Sequence, residues 1–395
     1  MNRTLRTCIP ALGLVAVISL ASPARAATDC TTLPNAVYVT GSSAFKPILA
    51  ELAKVLAAPP NPLTIIYRGQ GSCTGVDAIL NSTALTGTGT AVSYWSTSSE
   101  LNCDIPPGGV VADIGLSDVF ATTCFPGASI PTTIGDFPGP VQTMTFVVPK
   151  GSLEQSISAE AAYFILGFGA SSGVSPWTDP TYVFQRNPGS GTQQMIATAI
   201  NVPATQWLGT PTASSAAMVT SVSSSAQSQG TLGILATDVA DDNRSILKVL
   251  PYQHYGQSCG YWPDTDALST DKRNVRDGHY AIWGPLHILT HVSVSTGDPV
   301  KPSAKSVIGY LTGTLQAPAM LDLIGLEYTH HVIPQCAMRV QRTEEVGPLA
   351  SFAPTRSCGC YYDKLAGSST CMACTTKSDC PAAAPACNFG YCEVQ

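Results

Sequence analysis

The residues best equipped for chemistry are Arg186, Ser190, Gly191 and Thr192, within Phe184-Gln185-Arg186-Asn187-Pro188-Gly189-Ser190-Gly191-Thr192-Gln193-Gln194-Met195-Ile196. A β-branched and aromatic run, Tyr182-Val183-Phe184, leads in. Met195, Ile196, Ala199 and Ile200 then recur at helical spacing. A strand, a Gly-Ser-Gly-Thr turn and a helix make an anion-binding device. The first N–H groups of a helix have no partner within it, and the dipole end there is positive. Ser190 and Thr192 add hydroxyl donors, and Arg186 adds a bidentate guanidinium. Taken alone, the stretch also reads as an ordinary capped turn.

Two further strand–Gly/Ser–helix units would have to meet it. Ala36-Val37-Tyr38-Val39-Thr40 runs into Gly41-Ser42-Ser43-Ala44-Phe45-Lys46-Pro47. A helix follows, with Phe45, Ile48, Leu49, Leu52 and Leu56 on one face and Pro47 tolerated in the first turn. Leu63-Thr64-Ile65-Ile66-Tyr67 runs into Arg68-Gly69-Gln70-Gly71-Ser72, with Val76, Ile79 and Leu80 as the next helical face. Three such units point to three helix N-termini around one anion.

In order along the chain, Val39-Thr40-Gly41-Ser42-Ser43, Tyr67-Arg68-Gly69-Gln70-Gly71-Ser72, Ala112-Asp113-Ile114-Gly115-Leu116-Ser117-Asp118 and Arg186-Asn187-Pro188-Gly189-Ser190-Gly191-Thr192 resemble the periplasmic phosphate-binding proteins of ABC phosphate transporters. Trp177-Thr178-Asp179-Pro180, Gly230-Thr231-Leu232-Gly233-Ile234 and Tyr280-Ala281-Ile282-Trp283-Gly284-Pro285-Leu286 are weaker echoes. The resemblance covers roughly residues 36–315. It implies an α/β, two-lobed periplasmic-binding-protein fold of type II with two hinge crossings, near Thr143–Val148 and Tyr280–Ile288. Residues 27–141 and 289–335 would form lobe one, and 142–288 lobe two. It also implies the ligand set for phosphate: Ser43 with the N–H groups of Ala44 and Phe45, Ser72, Asp118, and Arg186, Ser190, Gly191 and Thr192. Asp118 is then a carboxylate facing an anion. That arrangement admits phosphate, which carries a proton to donate, and rejects sulfate, which does not. Two residues depart from the pattern. Ala44 stands where a threonine is usual, and Pro188 where an aspartate beside the arginine is usual.

At 395 residues the chain can bury a large core, and only 12% of it is charged. Residues 1–26 read as a signal peptide: Arg3 and Arg6, an apolar Ile9–Leu20, then Ala24-Arg25-Ala26. The apolar run is too short to span a bilayer, and no cysteine directly follows the cleavage signal to carry a lipid anchor. A periplasmic or secreted protein is expected. Removing Arg3, Arg6 and Arg25 takes the formal charge from −6 to −9, which disfavours nucleic acid as a partner. Inorganic phosphate or a similar oxyanion, and an ABC permease, are the partners the resemblance implies.

No enzyme, cofactor or metal site is expected. Gly169-Ala170-Ser171-Ser172-Gly173 matches G-x-S-x-G but follows a helical pattern rather than a strand. No glutamate follows His287 as a zinc protease requires, and no Gly-Lys-Ser/Thr is present.

Of 14 cysteines, all but Cys8 follow the leader, an odd number that leaves at least one thiol without an internal partner. Residues 336–395 hold a dense set, read as a disulfide-stapled tail. Zinc at Cys371-x-x-Cys374 is the alternative. Cys103 and Cys124 bracket a Pro/Gly-rich excursion and are expected to be bridged. Two other functions stay open: an orphan oxyanion receptor or sensor, from Ala44 and Pro188, and a secreted adhesion or structural protein that keeps the fold, from the tail.

Overall fold

The structure, a computed structural model, describes residues 28–394. The leader read at 1–26 lies outside the described residues.

Three parallel strands bring the glycine-rich loops of the first half together. Ile65–Gly69 and Ile114–Ser117 both pair in parallel with Val37–Gly41, one on each side. Parallel strands end at the same edge of a sheet, so the loops after Gly41, Gly69 and Ser117 open together. The helices Lys46–Leu56 and Ser72–Leu80 start from two of these loops. Ile48, Leu49 and Leu52 are buried on one face of the sheet, and Val76, Ala78 and Ile79 on the other.

Two long antiparallel strands carry the chain between the two halves. Ile134–Pro149 pairs with Trp283–His291 through its first part and with Gly233–Ala236 and Leu247–Val249 through its second. Trp283–His291 also pairs with Ile114–Ser117, so one sheet runs through both halves. Met144, Phe146, Val147 and Val148 are all fully buried. Burial at successive positions, Thr145 included, belongs to a strand covered on both faces. In the second half, Phe184–Gln185 pairs with Thr210–Pro211, and the helix Gly191–Ile200 packs Met195, Ile196 and Ile200 into the larger core. Trp177 Nε1 donates to the Thr231 carbonyl at 3.2 Å, tying the loop before Arg186 to the Gly230–Ile234 region.

The chain after Cys336 returns to this core. Cys358 and Tyr362 are fully buried in it, and Arg276 pairs with Asp363 while its guanidinium lies 4.9 Å from the Tyr362 ring centre. Arg342 stacks 4.0 Å over the Trp283 ring and donates to the Ala281 and Trp283 carbonyls at 3.0 and 3.2 Å. Four disulfides staple the segment: Cys336–Cys358, Cys360–Cys371, Cys374–Cys387 and Cys380–Cys392. Both cysteines of the Cys-x-x-Cys pair are therefore in disulfides.

The expected Cys103–Cys124 bridge is not formed. Cys103 pairs with Cys30, and Cys124 with Cys73. The short strand Thr28–Asp29 lies parallel to Glu100–Asp104, with Thr28 opposite Cys103, and this brings Cys30 alongside. The helix Ser72–Leu80 packs on Ala121–Cys124, which brings Cys73 to Cys124. Among the described residues the free thiol is Cys259, which is exposed. Among the described residues, no helix is long and apolar enough to cross a membrane.

Candidate functional site

The three loops of the first half converge on one carboxylate. Gly41 adopts φ +123°, and a Cβ there would lie 1.9 Å from the Leu116 carbonyl oxygen, so only glycine fits. Ser42 N–H donates to the same Leu116 oxygen at 2.8 Å, and the buried Tyr67 hydroxyl donates to the Ser42 carbonyl. Held this way, Ser42 Oγ donates to Asp118 Oδ1 at 2.6 Å. Ser72, the first residue of its helix, donates from Oγ to Asp118 Oδ2 at 2.9 Å and accepts the Asp118 N–H at 3.1 Å. Asp118 itself is only 4% exposed.

The Arg186 loop faces them. Asn187 shapes its turn: the side chain accepts from Gly189 N–H at 3.0 Å and the carbonyl from Ser190 N–H at 3.0 Å. Arg186 Nη1 donates to Ser215 Oγ at 2.7 Å, while its Nε is buried and makes no hydrogen bond with any described residue. Gly191 begins the helix Gly191–Ile200. A Cβ there would lie 2.3 Å from Ser72 Oγ and 2.8 Å from Asp118 Oδ2, so the helix end rests directly on the Ser72–Asp118 pair. Cys73 N–H donates to the Gly189 carbonyl at 3.3 Å, so the loops of the two halves touch.

Of the residues picked from the sequence, Ser72, Asp118, Arg186 and Gly191 meet here, with Ser190 and Thr192 buried on the same turn. Ser43 is exposed, Ala44 is part-buried, and the Phe45 side chain is fully buried in the core beneath. Ser42, its neighbour, is the serine that reaches Asp118. Sequence reasoning also misses Ser215, which holds Arg186 where Pro188 offers no carboxylate.

Burial raises the Asp118 pKa above the ordinary carboxylate range. The Ser42 and Ser72 hydroxyls oppose that rise, as do His287 and Arg186. Burial also lowers Arg186, which Asp118 counteracts. Two carboxyls beyond the expected set belong to this neighbourhood. Asp238 is pushed up to about 7 by burial, with Asp118 among the charges that raise it further. Glu345 is also pushed up to about 7 by burial, opposed by His287. Its Oε2 accepts the Phe120 N–H at 3.1 Å, two residues after Asp118. His287 lies opposite Ser117 in the sheet, with Nδ1 2.7 Å from Asp136 Oδ2. His287 Nε2, Arg186 Nε, Asp238 Oδ1, Glu345 Oε1 and both side-chain polar atoms of Gln142 are buried without a hydrogen-bond partner among the described residues. Buried polar atoms are seldom left so, and these include both donors and acceptors. Among the described residues no hydroxyl is hydrogen-bonded to His287.

No protein-family model matches the chain, and no curated protein matches it. Solved structures do. One, from Clostridium perfringens, is named for a phosphate ABC transporter substrate-binding protein and was solved with bound phosphate. It aligns over 76% of this chain and 99% of its own, at 13% identity and a TM-score of 0.52. The chain has the two-lobed fold of these receptors. An ABC-type phosphate transport receptor from Vibrio cholerae aligns over 74% of this chain and 98% of its own, at 17% identity and a TM-score of 0.48. To this fold the chain adds the disulfide-stapled return segment, which places Glu345 beside the loop after Asp118.

Proposed function

We propose that this protein is an extracytoplasmic receptor that captures phosphate between its two lobes, for uptake through an ABC permease, and that it is not an enzyme. Residues 27–141 and 289–335 form one lobe and 142–288 the other, with the chain after 336 packed against both, through Arg276 of the second and Asp322 and Tyr328 of the first. The observation that carries the reading is the Asp118 carboxylate, buried among Ser42, Ser72 and the Gly191 helix end, with the unspent Arg186 Nε in the same neighbourhood. A carboxylate placed among anion-binding donors selects a ligand that brings a proton. Ser43 with the N–H groups of Ala44 and Phe45, Ser72, Asp118, Arg186, Ser190, Gly191 and Thr192 are the contacts, and Ser42 orients Asp118. An anion bridging both sides stabilises the closed arrangement. Calorimetric titration with phosphate and with sulfate tests this, with phosphate expected to bind and sulfate to bind far more weakly.

A second reading, an orphan oxyanion receptor, is favoured by one observation. Both serine hydroxyls are already engaged by Asp118, so a ligand must compete for them. Tight binding of another oxyanion with no response to phosphate would select it.

A further inference from the structure

A cavity of about 820 Å³ lies away from the anion site, between the loop after Leu311, the helix Leu323–Thr329 and the returning chain at Phe352–Arg356. Its volume falls in the range of small-molecule sites. The wall is mostly apolar, with Leu311, Leu323, Ile324, Phe352 and Phe389 among its residues. Glu327 stands in this wall. It is 3% exposed, and its carboxyl makes no hydrogen bond or ion pair with any described residue.

Two other charged side chains line the cavity, and both are occupied. The Asp322 carboxylate accepts the Gly325 N–H at 3.0 Å and the Tyr361 hydroxyl. Arg356 is exposed and lies 4.1 Å over the Phe389 ring. Burial raises Glu327 well above the usual carboxylate range, and the Asp322 charge raises it further. A buried carboxyl with no partner is costly to keep. Two acidic groups and aromatic faces favour a cation over an anion as the partner that would relieve it. An apolar body would fill the rest of the space.

We propose that this cavity is a second ligand site, for a small organic cation: a primary ammonium on an apolar body, with Glu327 as its counter-ion. Entry of the cation ionises Glu327, and the carboxyl proton leaves to solvent as the ion pair forms.

The test is titration of the purified protein with hexylammonium, 1-hexanol and hexanoate at pH 7 and one ionic strength. Hexylammonium should bind about tenfold or more tightly than hexanol, and hexanoate should not bind. Repeating the ammonium titration in buffers of different ionisation enthalpy should show net proton release. Glu327→Gln should weaken hexylammonium about tenfold or more and leave hexanol unchanged. Equal binding of alcohol and ammonium, ammonium binding at full strength to Glu327→Gln, or no binding by any of the three overturns the proposal. The wild-type comparison decides by itself if the variant does not fold.

Discussion

Ser72 and Asp118 grip each other twice: the serine hydroxyl donates to Asp118 Oδ2 at 2.9 Å and accepts the Asp118 N–H at 3.1 Å. The carboxylate is thus oriented by the protein before any ligand arrives. Ser72→Ala removes both bonds and leaves a buried N–H and a carboxylate oxygen with fewer partners. The expected loss is about 1–3 kcal/mol of unfolding free energy, together with weaker phosphate binding. Urea unfolding and calorimetry on the same variant measure the two. Phosphate affinity equal to wild type would remove Ser72 from the site.

Arg186 is held by Ser215 and keeps a buried Nε in reserve. Arg186→Ala should weaken phosphate binding by about 2–5 kcal/mol, the range for removing one partner of a buried charge pair. Ser215→Ala should cost less, about 0.5–1.5 kcal/mol, because only the aim of the guanidinium is loosened. If both variants titrate like wild type, the lobe-two side of the site is elsewhere.

Much of this site could be read from sequence because its parts are local. A β-branched run, a glycine turn and an amphipathic helix are each written in adjacent residues, as at Gly41, Gly71 and Gly191. Ser42 and Ser43 could not be told apart, since the backbone turn at Gly41, φ +123°, decides which hydroxyl faces Asp118. The cysteine pairing failed for a different reason. Cys30 and Cys103 are brought together by strand pairing across 73 residues, and no spacing rule encodes that. Glu345 lies 225 residues from its partner Phe120, in a stretch that reads as part of a detached tail. Ser215 sits in a run of serines and alanines with nothing to single it out.

Glu345 and Asp238 give the protein a pH signature. Each is pushed up to about 7 in the folded state by burial. Their unfolded values are near 4, so the native state binds more protons than the unfolded state between those limits. Stability contributed by these groups is therefore greatest below about pH 4, falls as pH rises toward 7, and levels off above. Glu345→Gln should flatten this fall. It should be more stable than wild type at pH 8 by about 1–3 kcal/mol, since each tenfold change in proton affinity is worth roughly 1.4 kcal/mol. Asp238→Asn should act in the same direction. Unfolding curves at pH 5 and pH 8 check it, and parallel behaviour of variant and wild type would rule out a buried, protonated Glu345.

Asp118 decides ligand choice. A carboxylate within reach of a divalent anion repels it unless a proton lies between them. Phosphate near neutral pH can supply that proton to an ionised Asp118. Sulfate binds only if Asp118 takes up the proton itself, and burial, which raises its pKa, is opposed by the Ser42 and Ser72 hydroxyls and by the charges of His287 and Arg186. Asp118→Asn removes the charge and keeps the shape. Its amide oxygen still accepts from one serine, and the other serine hydroxyl can turn to accept from the amide nitrogen, so the loops should stay in place. The variant should narrow the gap between phosphate and sulfate, mainly by admitting sulfate. If Asp118 serves only to tie the Ser42 and Ser72 loops together, asparagine would do the same work and selectivity would not move. Titrating both anions against both proteins at one ionic strength separates the two cases. Sulfate binding to the wild type as tightly as phosphate would remove the phosphate assignment and leave the orphan-receptor reading in its place.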